Sequence, residues 1–374
     1  MLPSNWQRVR LGDIAEIKRG VRITKNELDV FGKYPVVSGG VGFLGYTNNF
    51  NRYENTITIA QYGTAGYINF QKNKFWANDV CFCIYPNKDI IKNIFLYYFL
   101  KVNQNYLYEI SNRNATPYSI SKDKILDFEI PLPPLNEQIA IANVLSGLDR
   151  YLYSLDALIL KKEGVKKALS FELLSQRKRL KGFNQAWQRV RLGDIGKPCM
   201  CKRVMKHQTT RYGEIPFYKI GTFGNTADAF ISKKLFLEYK TKYSFPKKGD
   251  ILISASGTIG RAVIYDGKPA YFQDSNIVWI DNDETLVKND FLFYAYSNIK
   301  WNTEHTTILR LYNDNFRNTL IPLPPLNEQI AIANVLSALD SEIISLKNKK
   351  RQFENIKKAL NHDLMSAKIR VLNK

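Results

Sequence analysis

Cysteine is scarce in this chain of 374 residues, and so are long uninterrupted runs of apolar residues. Four cysteines are too few to hold a fold of this size together through disulfides. We find no apolar run near the roughly 20 residues that span a bilayer, and the first residues, MLPSNW, lack the apolar region of a signal peptide. These absences exclude a disulfide scaffold and predict a soluble protein of the cytoplasm.

The motifs of several enzyme classes are missing as well. The chain has no Gly-x4-Gly-Lys-Ser/Thr phosphate loop, no Asn/Asp-Pro-Pro-Tyr motif of amino-methyltransferases, no His-Glu-x-x-His helix and no Gly-x-Ser-x-Gly elbow. Cys199, Cys201 and His207 are close in sequence, but two thiols and one imidazole do not complete a tetrahedral zinc site. We therefore predict neither catalytic residues nor a metal site.

Positive charge, by contrast, is in excess. There are 54 Lys and Arg residues against 34 Asp and Glu, a formal net charge of +20. No single tail carries this excess, because residues 1–130 contribute +5 and residues 183–321 contribute +7. Such a charge favours a polyanionic partner, either nucleic acid or an anionic membrane surface, although a merely basic surface would give the same composition.

The chain contains an internal repeat that sets its organisation. Residues 6–14, WQRVRLGDI, recur unchanged as residues 187–195, and residues 130–149 recur as residues 321–340 with 19 of 20 positions identical. Only Gly147 differs, becoming Ala338. The plan is therefore A–B–A′–B′, in which near-identical boundaries enclose two dissimilar A segments.

The B segments are predicted to be long helices. Proline suits the first turn of a helix but not its interior, so the pairs Pro133-Pro134 and Pro324-Pro325 mark two helix starts. Leucine and isoleucine then follow at three- and four-residue spacing, a pattern typical of a narrow seam against another helix. We expect the two B helices to pair with each other, with Lys162 and Lys166 interrupting the seam.

The A segments contain short β-rich runs punctuated by glycine, asparagine and proline, and both copies carry a Gly-Thr-x-Gly turn after a strand, at residues 63–66 and 257–260. Residues 40–45, GVGFLG, match the Gly-x-Gly-x-x-Gly pattern of dinucleotide sites. The helix that such a site needs does not follow, so we interpret this segment as a glycine-rich turn near a ligand backbone.

Candidate nucleic-acid contacts occur as basic clusters near the start of each A segment and as polar residues beside the glycine turns. Arginine reads guanine, amides read adenine, and lysine more often meets phosphate. In the first A segment the candidates are Arg19, Arg22, Lys25, Gln61, Tyr62 and Thr64. In the second they are Lys202, Arg203, Lys206, Arg211, Ser254, Ser256, Thr258 and Arg261.

The repeat plan, the twice-used LPPLNEQ helix start and the Trp-x-x-Val-x-Leu-Gly-Asp-Ile opening resemble the specificity subunit of type I restriction–modification enzymes, over essentially the whole chain. The resemblance implies an α+β fold in which two β-rich target-recognition domains are joined by two long antiparallel coiled-coil helices, related by a pseudo-twofold repeat. The corresponding boundaries are residues 1–130 for the first domain, 131–182 for the first spacer helix, 183–321 for the second domain and 322–374 for the second spacer helix.

The resemblance also implies a non-catalytic, DNA-binding role. Each domain would read one half of a split double-stranded DNA sequence, and the chain would bind two modification (methyltransferase) subunits and, through them, restriction subunits. S-adenosylmethionine, ATP and Mg²⁺ are expected on those partners and no cofactor on this chain. Residues repeated without an evident packing reason are candidates for contact with two copies of one partner, although recent duplication would preserve them too: Asn136, Glu137, Gln138, Asn327, Glu328 and Gln329.

Other functions remain open at the level of sequence. The chain could serve a related bipartite-site methyltransferase or nuclease system that lacks a separate ATP-dependent restriction subunit. A self-sufficient methyltransferase or nuclease would need the missing motifs and would transfer methyl groups alone. A coiled-coil scaffold would explain the helices but not two basic, divergent globular segments, and it would not retain DNA by sequence.

Overall fold

The computed structural model describes residues 3–301, 304–305 and 309–372 of the chain. Contacts divide the chain into two compact units. The first unit comprises Met1–Ala157 and Lys347–Lys374, and the second comprises Leu158–Leu346. Each unit thus contains one A segment and a part of each B helix. Because both units include parts of both long helices, they do not test the predicted domain boundaries, which stay a prediction.

The first unit contains one antiparallel sheet, one small mixed sheet and a short strand pair. Its strands are β1 (Gln7–Arg10), β2 (Ala15–Arg19), β3 (Tyr34–Val37), β4 (Phe43–Thr47), β5 (Thr56–Ala60), β6 (Ile68–Gln71), β7 (Trp76–Ala77), β8 (Cys81–Pro86) and β9 (Glu129–Leu132). The antiparallel sheet has the order β2-β8-β5-β6, and the second sheet has the order β4-β3-β7, with β3 parallel to β7. Strand β1 pairs with β9 and so closes the A segment.

Short helices cover one face of the four-stranded sheet in the first unit. They are α1 (Leu11–Ile14), α2 (Asn93–Val102), α3 (Gln104–Glu109) and α4 (Lys122–Leu126). The central strand β5 is buried along its whole length because both of its faces are covered. Side chains alternate along a strand, so Ile57 and Ile59 pack with Phe95 of α2 in one core, whereas Cys81 and Cys83 pack with Val37 in another.

The second unit repeats this plan. Its strands are β10 (Gln188–Arg191), β11 (Gly196–Met200), β12 (Ile215–Tyr218), β13 (Phe230–Ile231), β14 (Ile251–Ser254), β15 (Ala262–Ile264), β16 (Tyr271–Phe272), β17 (Ile277–Asn282), β18 (Glu304–His305), β19 (Leu309–Arg310) and β20 (Leu320–Leu323). Its short helices are α6 (Leu192–Ile195), α7 (Lys233–Lys242), α8 (Asn289–Tyr296) and α9 (Asn313–Asn318). The sheet orders β11-β17-β14-β15 and β13-β12-β16 match those of the first unit strand for strand. The predicted recurrence of one fold is confirmed.

The two B segments form helices of 40 residues each, α5 (Leu135–Leu174) and α10 (Leu326–Met365). Both begin directly after the proline pairs, as predicted. The amide groups of the first helical turn have no partner within the helix, so proline removes nothing there.

In each unit the two helix segments run antiparallel. Within the first unit Asp156 of α5 pairs with Lys350 of α10 at 2.6 Å, and Asp149, earlier in α5, pairs with the later Lys357. Within the second unit Lys162 pairs with Glu342 at 2.8 Å, and the later Lys166 pairs with the earlier Asp340. The lysines that interrupt the apolar seam therefore meet carboxylates of the opposite helix.

One window of α10 is apolar enough to cross a membrane by length and composition alone, with a mean hydropathy of 1.3 over 18 residues. This window is not an uninterrupted apolar run, because asparagine, glutamine, serine and acidic residues occur within it. Ile332, Leu336 and Ile343 of this helix are buried in the second unit, and packing of this kind accounts for part of its hydropathy. A single helix of this composition is weak evidence for a membrane span, since core helices share it.

Candidate nucleic-acid interface

In the first unit, four loops meet at one end of the two sheets. They follow β2 (residues 20–24), β3 (38–42) and β5 (61–66) and precede β8 (78–80); we call them the first loop end. Antiparallel pairing sets this arrangement, because the last residue of β2 faces Phe82 and the last residue of β5 faces Cys81, near the start of β8.

Hydrogen bonds tie these four loops together. The Asn78 side chain accepts from the Ile23 amide at 3.1 Å and donates to the Ser38 hydroxyl at 3.3 Å. The Thr64 hydroxyl donates to the Gly39 carbonyl at 2.7 Å. The first loop end is therefore one connected surface rather than four independent loops.

The structure brings the basic candidates of the first A segment to this loop end. Arg19 is the last residue of β2, and its guanidinium donates to the carbonyl of Asp79 in the loop before β8. Arg22 and Lys25 follow in the next loop, and both are exposed. The sequence clusters therefore correspond to a spatial cluster.

The polar candidates of the first A segment lie in the turn after β5, next to the loops that carry the basic residues. Gln61 and Tyr62 are half-buried, and the side-chain carbonyl oxygen of Gln61 is buried without a hydrogen-bond partner. Thr64 is half-buried, and its hydroxyl holds the neighbouring loop. Of these three, Thr64 has an evident structural role.

The second unit has an equivalent set of loops, which follow β11 (residues 201–206), β12 (219–225) and β14 (255–261) and precede β17 (273–276). We call them the second loop end. Arg203 donates to Asp274 at 2.8 Å, Arg261 donates to the Phe223 carbonyl at 3.0 Å, and the Ile220 amide donates to the Gln273 side chain at 3.0 Å. These three bonds connect all four loops, because the loop after β12 is bonded both to the loop after β14 and to the loop before β17.

Among the second set of candidates, exposure separates two groups. Side chains that reach solvent can meet a ligand, whereas buried hydroxyls already used within a turn cannot. The exposed candidates are Lys202, Arg203, Lys206, Arg211, Thr258 and Arg261. Their exposure is compatible with the prediction and does not test it.

Ser254 and Ser256 are placed differently from what their sequence position beside the glycine turn suggested. Ser254 is 2% exposed, and its hydroxyl donates to the Thr258 carbonyl and accepts from the Arg261 amide at 2.9 Å. Ser256 is also buried and donates to the Asn276 side chain at 2.8 Å. Both serines close the turn, so the expectation that they reach outward is wrong.

A further segment, absent from the predicted contacts, borders the loop end in each unit. Residues 111–120 run along the turn after β5, where the Gly63 amide donates to the Tyr118 carbonyl at 3.0 Å. Arg113 in this segment lies about equally far from two rings, 5.1 Å from Tyr108 and 5.0 Å from Tyr118. A basic residue among turn-forming and aromatic residues was the available signal.

In the second unit the corresponding contribution comes from Arg310. Its guanidinium donates to the Asn276 side chain at 3.1 Å, beside Ser256. The Leu311 amide donates to the Ala255 carbonyl at 2.8 Å, which fixes this strand against the turn after β14. In each unit, a further polar segment therefore borders the four loops of the loop end.

The helix starts contain buried polar clusters, contrary to expectation. Glu137 is 2% exposed; it accepts from the Trp6 indole at 3.1 Å and from the Arg370 guanidinium at 2.7 Å. Glu328 is 1% exposed and accepts from Trp187 at 3.0 Å and from Arg179 at 2.7 Å.

The neighbouring glutamines are buried in the same way. Gln138 accepts from the Lys92 amide at 2.7 Å and donates to the Ile90 carbonyl at 3.0 Å. Gln329 accepts from the Lys288 amide at 2.8 Å and donates to the Leu286 carbonyl at 3.0 Å. In both units the glutamine hydrogen-bonds to backbone groups of the segment that precedes a short helix, α2 in the first unit and α8 in the second.

The assumption that Glu137, Gln138, Glu328 and Gln329 have no packing reason to be repeated is therefore wrong. All four are buried and hydrogen-bonded inside their own unit, so they offer no surface to a partner. Asn136 and Asn327, the remaining residues of that prediction, are exposed. Their contact with a partner stays a prediction.

A second pair of clusters joins each helix pair to its domain. The Tyr98 hydroxyl donates to Asp149 at 2.6 Å, and that carboxylate also pairs with Lys357. The Tyr294 hydroxyl donates to Asp340 at 2.8 Å, and that carboxylate also pairs with Lys166. Burial is the larger cause, and the hydrogen bond to the carboxylate the second, that raises the pKa of both phenols. Both phenols therefore stay protonated and act as donors.

Among the described residues there is no group of three or more His, Cys, Asp or Glu side chains that could hold a metal ion. Burial raises the pKa of the Cys201 thiol to about 12, which disfavours the thiolate that zinc requires. The prediction that the chain carries no metal stays untested by this observation.

Comparison with known proteins gives a consistent result. The sequence model of the family described as "Type I restriction modification DNA specificity domain" matches residues 3–162 and again residues 184–355. A Haemophilus influenzae protein named as a type I restriction enzyme specificity subunit is 41% identical over 346 residues, which cover 88% of this chain and 86% of that protein. The MjaVIII specificity subunit of Methanocaldococcus jannaschii is 26% identical over 100% of this chain and 95% of its own length.

Solved structures are similar in fold. The S subunit of a type I restriction–modification system from M. genitalium matches with a TM-score of 0.68 and 21% identity, over 97% of both chains. A chain from a structure of a type I R-M system matches with a TM-score of 0.57 and 18% identity, over 99% of this chain and 100% of that one.

Proposed function

Since the chain belongs to the family of type I restriction–modification DNA specificity subunits and has two target-recognition domains, we propose that each domain binds one half of a bipartite DNA sequence. The observation that carries this proposal is a contrast within the repeat. Sheet order and helix clusters are the same in both units, whereas the residues at the two loop ends differ. One geometry with two surfaces suits two different half-sites.

The charge of the loop ends supports a duplex as the ligand. Arg19, Arg22 and Lys25 are exposed at the first loop end, and Lys202, Arg203 and Lys206 are exposed at the second. Exposed lysine and arginine next to polar side chains can hold phosphates while other groups meet base edges. Gln61, half-buried in the turn after β5, carries the side-chain amide that typically reads adenine.

In this proposal the chain recognises DNA and performs no chemistry itself. Two methyltransferase subunits and, through them, restriction subunits would act on the sites that it selects. S-adenosylmethionine, ATP and Mg²⁺ would bind to those partners, and the assembly would work in the cytoplasm. The long helices would act as spacers between the two half-sites.

Methylome sequencing tests this proposal. A host that expresses the chain with its modification subunit should acquire one methylated motif of two defined parts separated by a fixed gap. A continuous motif, or no motif, would contradict the proposal.

A binding assay of the assembled complex tests the role of charge. The affinity for DNA that contains the motif should fall steeply with salt, because each phosphate contact releases condensed counterions. An affinity that is the same at 50 and 200 mM salt, values at which this effect is about 10³-fold or more for several contacts, would mean that the basic residues do not meet the duplex.

We propose that the exposed face at the start of each long helix binds one methyltransferase subunit. Ile139 is 45% exposed and Ile330, its repeat, 42%; Asn136, Asn143 and their repeats are exposed on the same face. Positions three, four and seven apart share one side of a helix. Two identical exposed faces suit two copies of one partner. We therefore assign partner binding to these faces rather than to the buried glutamates and glutamines.

Arginine substitutions test this face. Ile139→Arg or Ile330→Arg should reduce the co-purifying methyltransferase from two copies to one, and the double variant should lose both. Tyr153→Arg is the matched control, because Tyr153 is 77% exposed on the same helix but lies outside the identical segment. Unchanged stoichiometry in the double variant would rule out this face.

A further inference from the structure

The first loop end carries an exposed apolar tip, which we define as Val41, Phe43 and Leu44. These side chains are 60%, 49% and 39% exposed. They belong to the glycine-rich segment 40–45 at the turn of the β3–β4 hairpin, whose match to a dinucleotide motif had no structural support. Clustered large apolar side chains in water usually mark a binding surface.

Gly39, at the base of this tip, is hydrogen-bonded to the loop after β5, whereas Gly40 and Gly42 at its turn have open space around them. The Gly39 carbonyl accepts from both the amide and the hydroxyl of Thr64, at 2.9 and 2.7 Å. A Cβ atom added at Gly42 would meet no atom within 4 Å, and one at Gly40 would meet only the Gly42 carbonyl at 3.8 Å. The tip therefore projects from a firmly held base.

The second loop end is different at the equivalent loop, residues 219–225. The aromatic residue there, Phe223, is 1% exposed, and its carbonyl accepts from Arg261. The Thr222 hydroxyl accepts from the Lys219 amide at 3.1 Å, which closes the loop on itself. Within the described residues of the two loop ends, a cluster of three exposed apolar side chains occurs at the first alone, whereas Met205 is the exposed large apolar side chain of the second, at 51%.

The surroundings of the tip indicate its occupant. The loop with Arg22 is hydrogen-bonded to Asn78, and Asn78 is bonded in turn to Ser38 at the base of the tip. Arg19 bonds the next residue, Asp79. An apolar group flanked by exposed cations matches the base faces and phosphates of DNA better than the apolar face of a protein.

We propose that the apolar tip inserts between neighbouring base pairs at or beside the half-site of the first domain and partly unstacks them. Apolar side chains cannot read the hydrogen-bonding edges of bases, but they can replace a stacked neighbour and so stabilise a kink. The second domain, whose described loop-end residues form no such tip, binds its half-site without unstacking. This inference rests on the proposed function, since it needs a bound duplex.

The test uses the assembled complex with its methyltransferase subunits and duplexes that carry 2-aminopurine, whose fluorescence rises when it is unstacked. Methyltransferases flip their target base out of the stack, so the methylated positions and their direct neighbours are left out of the scan. The remaining probe positions across the first half-site and its flanks should include one step with a several-fold rise, and those of the second half-site should include none. The Val41→Ser, Phe43→Ala double variant should lose this rise and bind about tenfold more weakly. Its melting temperature should fall by only a few degrees, because Val41 and Phe43 are 60% and 49% exposed and Phe43 contacts one neighbouring ring, that of Tyr46.

Phe31→Ala is the matched control, because Phe31 is 93% exposed but lies in a loop held to the other end of β4 by the Asp29 amide and the Tyr46 carbonyl, at 2.8 Å. This variant should keep the fluorescence rise. Sequence-specific binding by the wild-type complex with no rise at any step would overturn the insertion and leave the proposed function intact.

Two further outcomes would also overturn it. Loss of methyltransferase subunits from the tip variant, with the Phe31 variant retaining them, would make the tip a protein-docking site. A wild-type complex without sequence-specific binding would remove the proposed function, and the insertion with it.

Discussion

The two units of this chain differ most where their sheets end and least where their helices begin. Trp6, Glu137 and Arg370 form the same buried cluster as Trp187, Glu328 and Arg179, with matching donors and distances. The loop ends share their strand order but not their side chains. Selection that keeps the Trp–Glu–Arg cluster the same in both units, and lets the two binding surfaces diverge, would produce this contrast.

The same contrast exists on a smaller scale between the helix pairs. In the second unit Lys162 and Glu342 form an ion pair at 2.8 Å. At the equivalent positions of the first unit, the rings of Tyr151 and Phe353 lie 4.7 Å apart. A polar and an aromatic contact can therefore occupy the same place in the seam, because each fills a half-exposed site between two helices.

Exchange of the first A segment should have the largest effect on this comparison. Replacement of residues 15–129 by the corresponding segment of a relative should change one half of the methylated motif completely and leave the other half untouched. Methylome sequencing of the host measures both halves at once. A change in both halves would mean that the two loop ends do not act independently.

Loss of the buried glutamate should have the next largest effect, and the same effect in both units. Glu328→Ala leaves Arg179 and the Trp187 indole without their carboxylate, which should cost about 3–5 kcal/mol of stability. Glu137→Ala should cost a similar amount in the first unit. Thermal unfolding of each variant, with Glu328→Gln as a control that keeps the volume, measures this.

The glutamine control should lose less stability than the alanine variant, since its amide oxygen can still accept from the indole. Equal losses would show that the carboxylate charge accounts for the whole effect and that the volume and the neutral acceptor contribute little. A loss in one unit alone would show that the two clusters, though equal in geometry, are unequal in energy.

Removal of the phenol hydroxyl should have a moderate effect. Tyr98→Phe and Tyr294→Phe each delete one hydrogen bond to a carboxylate that keeps its lysine, at a cost of about 1–2 kcal/mol. Chemical denaturation of the two single variants and the double variant measures these costs and their additivity. Costs that differ by more than about 1 kcal/mol would break the equivalence of the two units.

Transfer of the aromatic pair to the second unit should have the smallest effect. The Lys162→Phe, Glu342→Tyr double variant should change stability by about 1 kcal/mol or less, because both kinds of contact are weak at half-exposed sites. Its melting temperature should depend less on salt than that of the wild type. An unchanged salt dependence would show that the ion pair contributes nothing measurable.

Much of the fold could be predicted from the sequence because it depends on local and repeated signals. The proline pairs fixed the starts of α5 and α10, and apolar spacing indicated their seam. The two Gly-Thr-x-Gly turns occur at equivalent places, and Gly63 and Gly257 have positive φ angles of 78° and 64°, which glycine adopts without strain. Such signals lie within a few residues of the feature that they predict.

The clusters of site residues could be predicted only in part. The basic groups near residues 19–25 and 202–211 were visible as runs of like charge. Arg113 and Arg310 could not be assigned to the loop ends, since each reaches its position through contacts with residues roughly 35 to 55 positions away. Contact at that separation depends on sheet pairing, which composition does not encode.

The sequence by itself determined the repeat, the helix starts, the family and the presence of two divergent domains, because these follow from identity, proline and periodicity along the chain. Only the tertiary structure decided which repeated polar residues are buried. Glu137 and Glu328 resemble surface residues in sequence, but the indole and guanidinium that donate hydrogen bonds to them lie more than 130 positions away. A charged side chain leaves water only when folding brings such partners to it, so its burial is a property of the fold rather than of its neighbours in sequence.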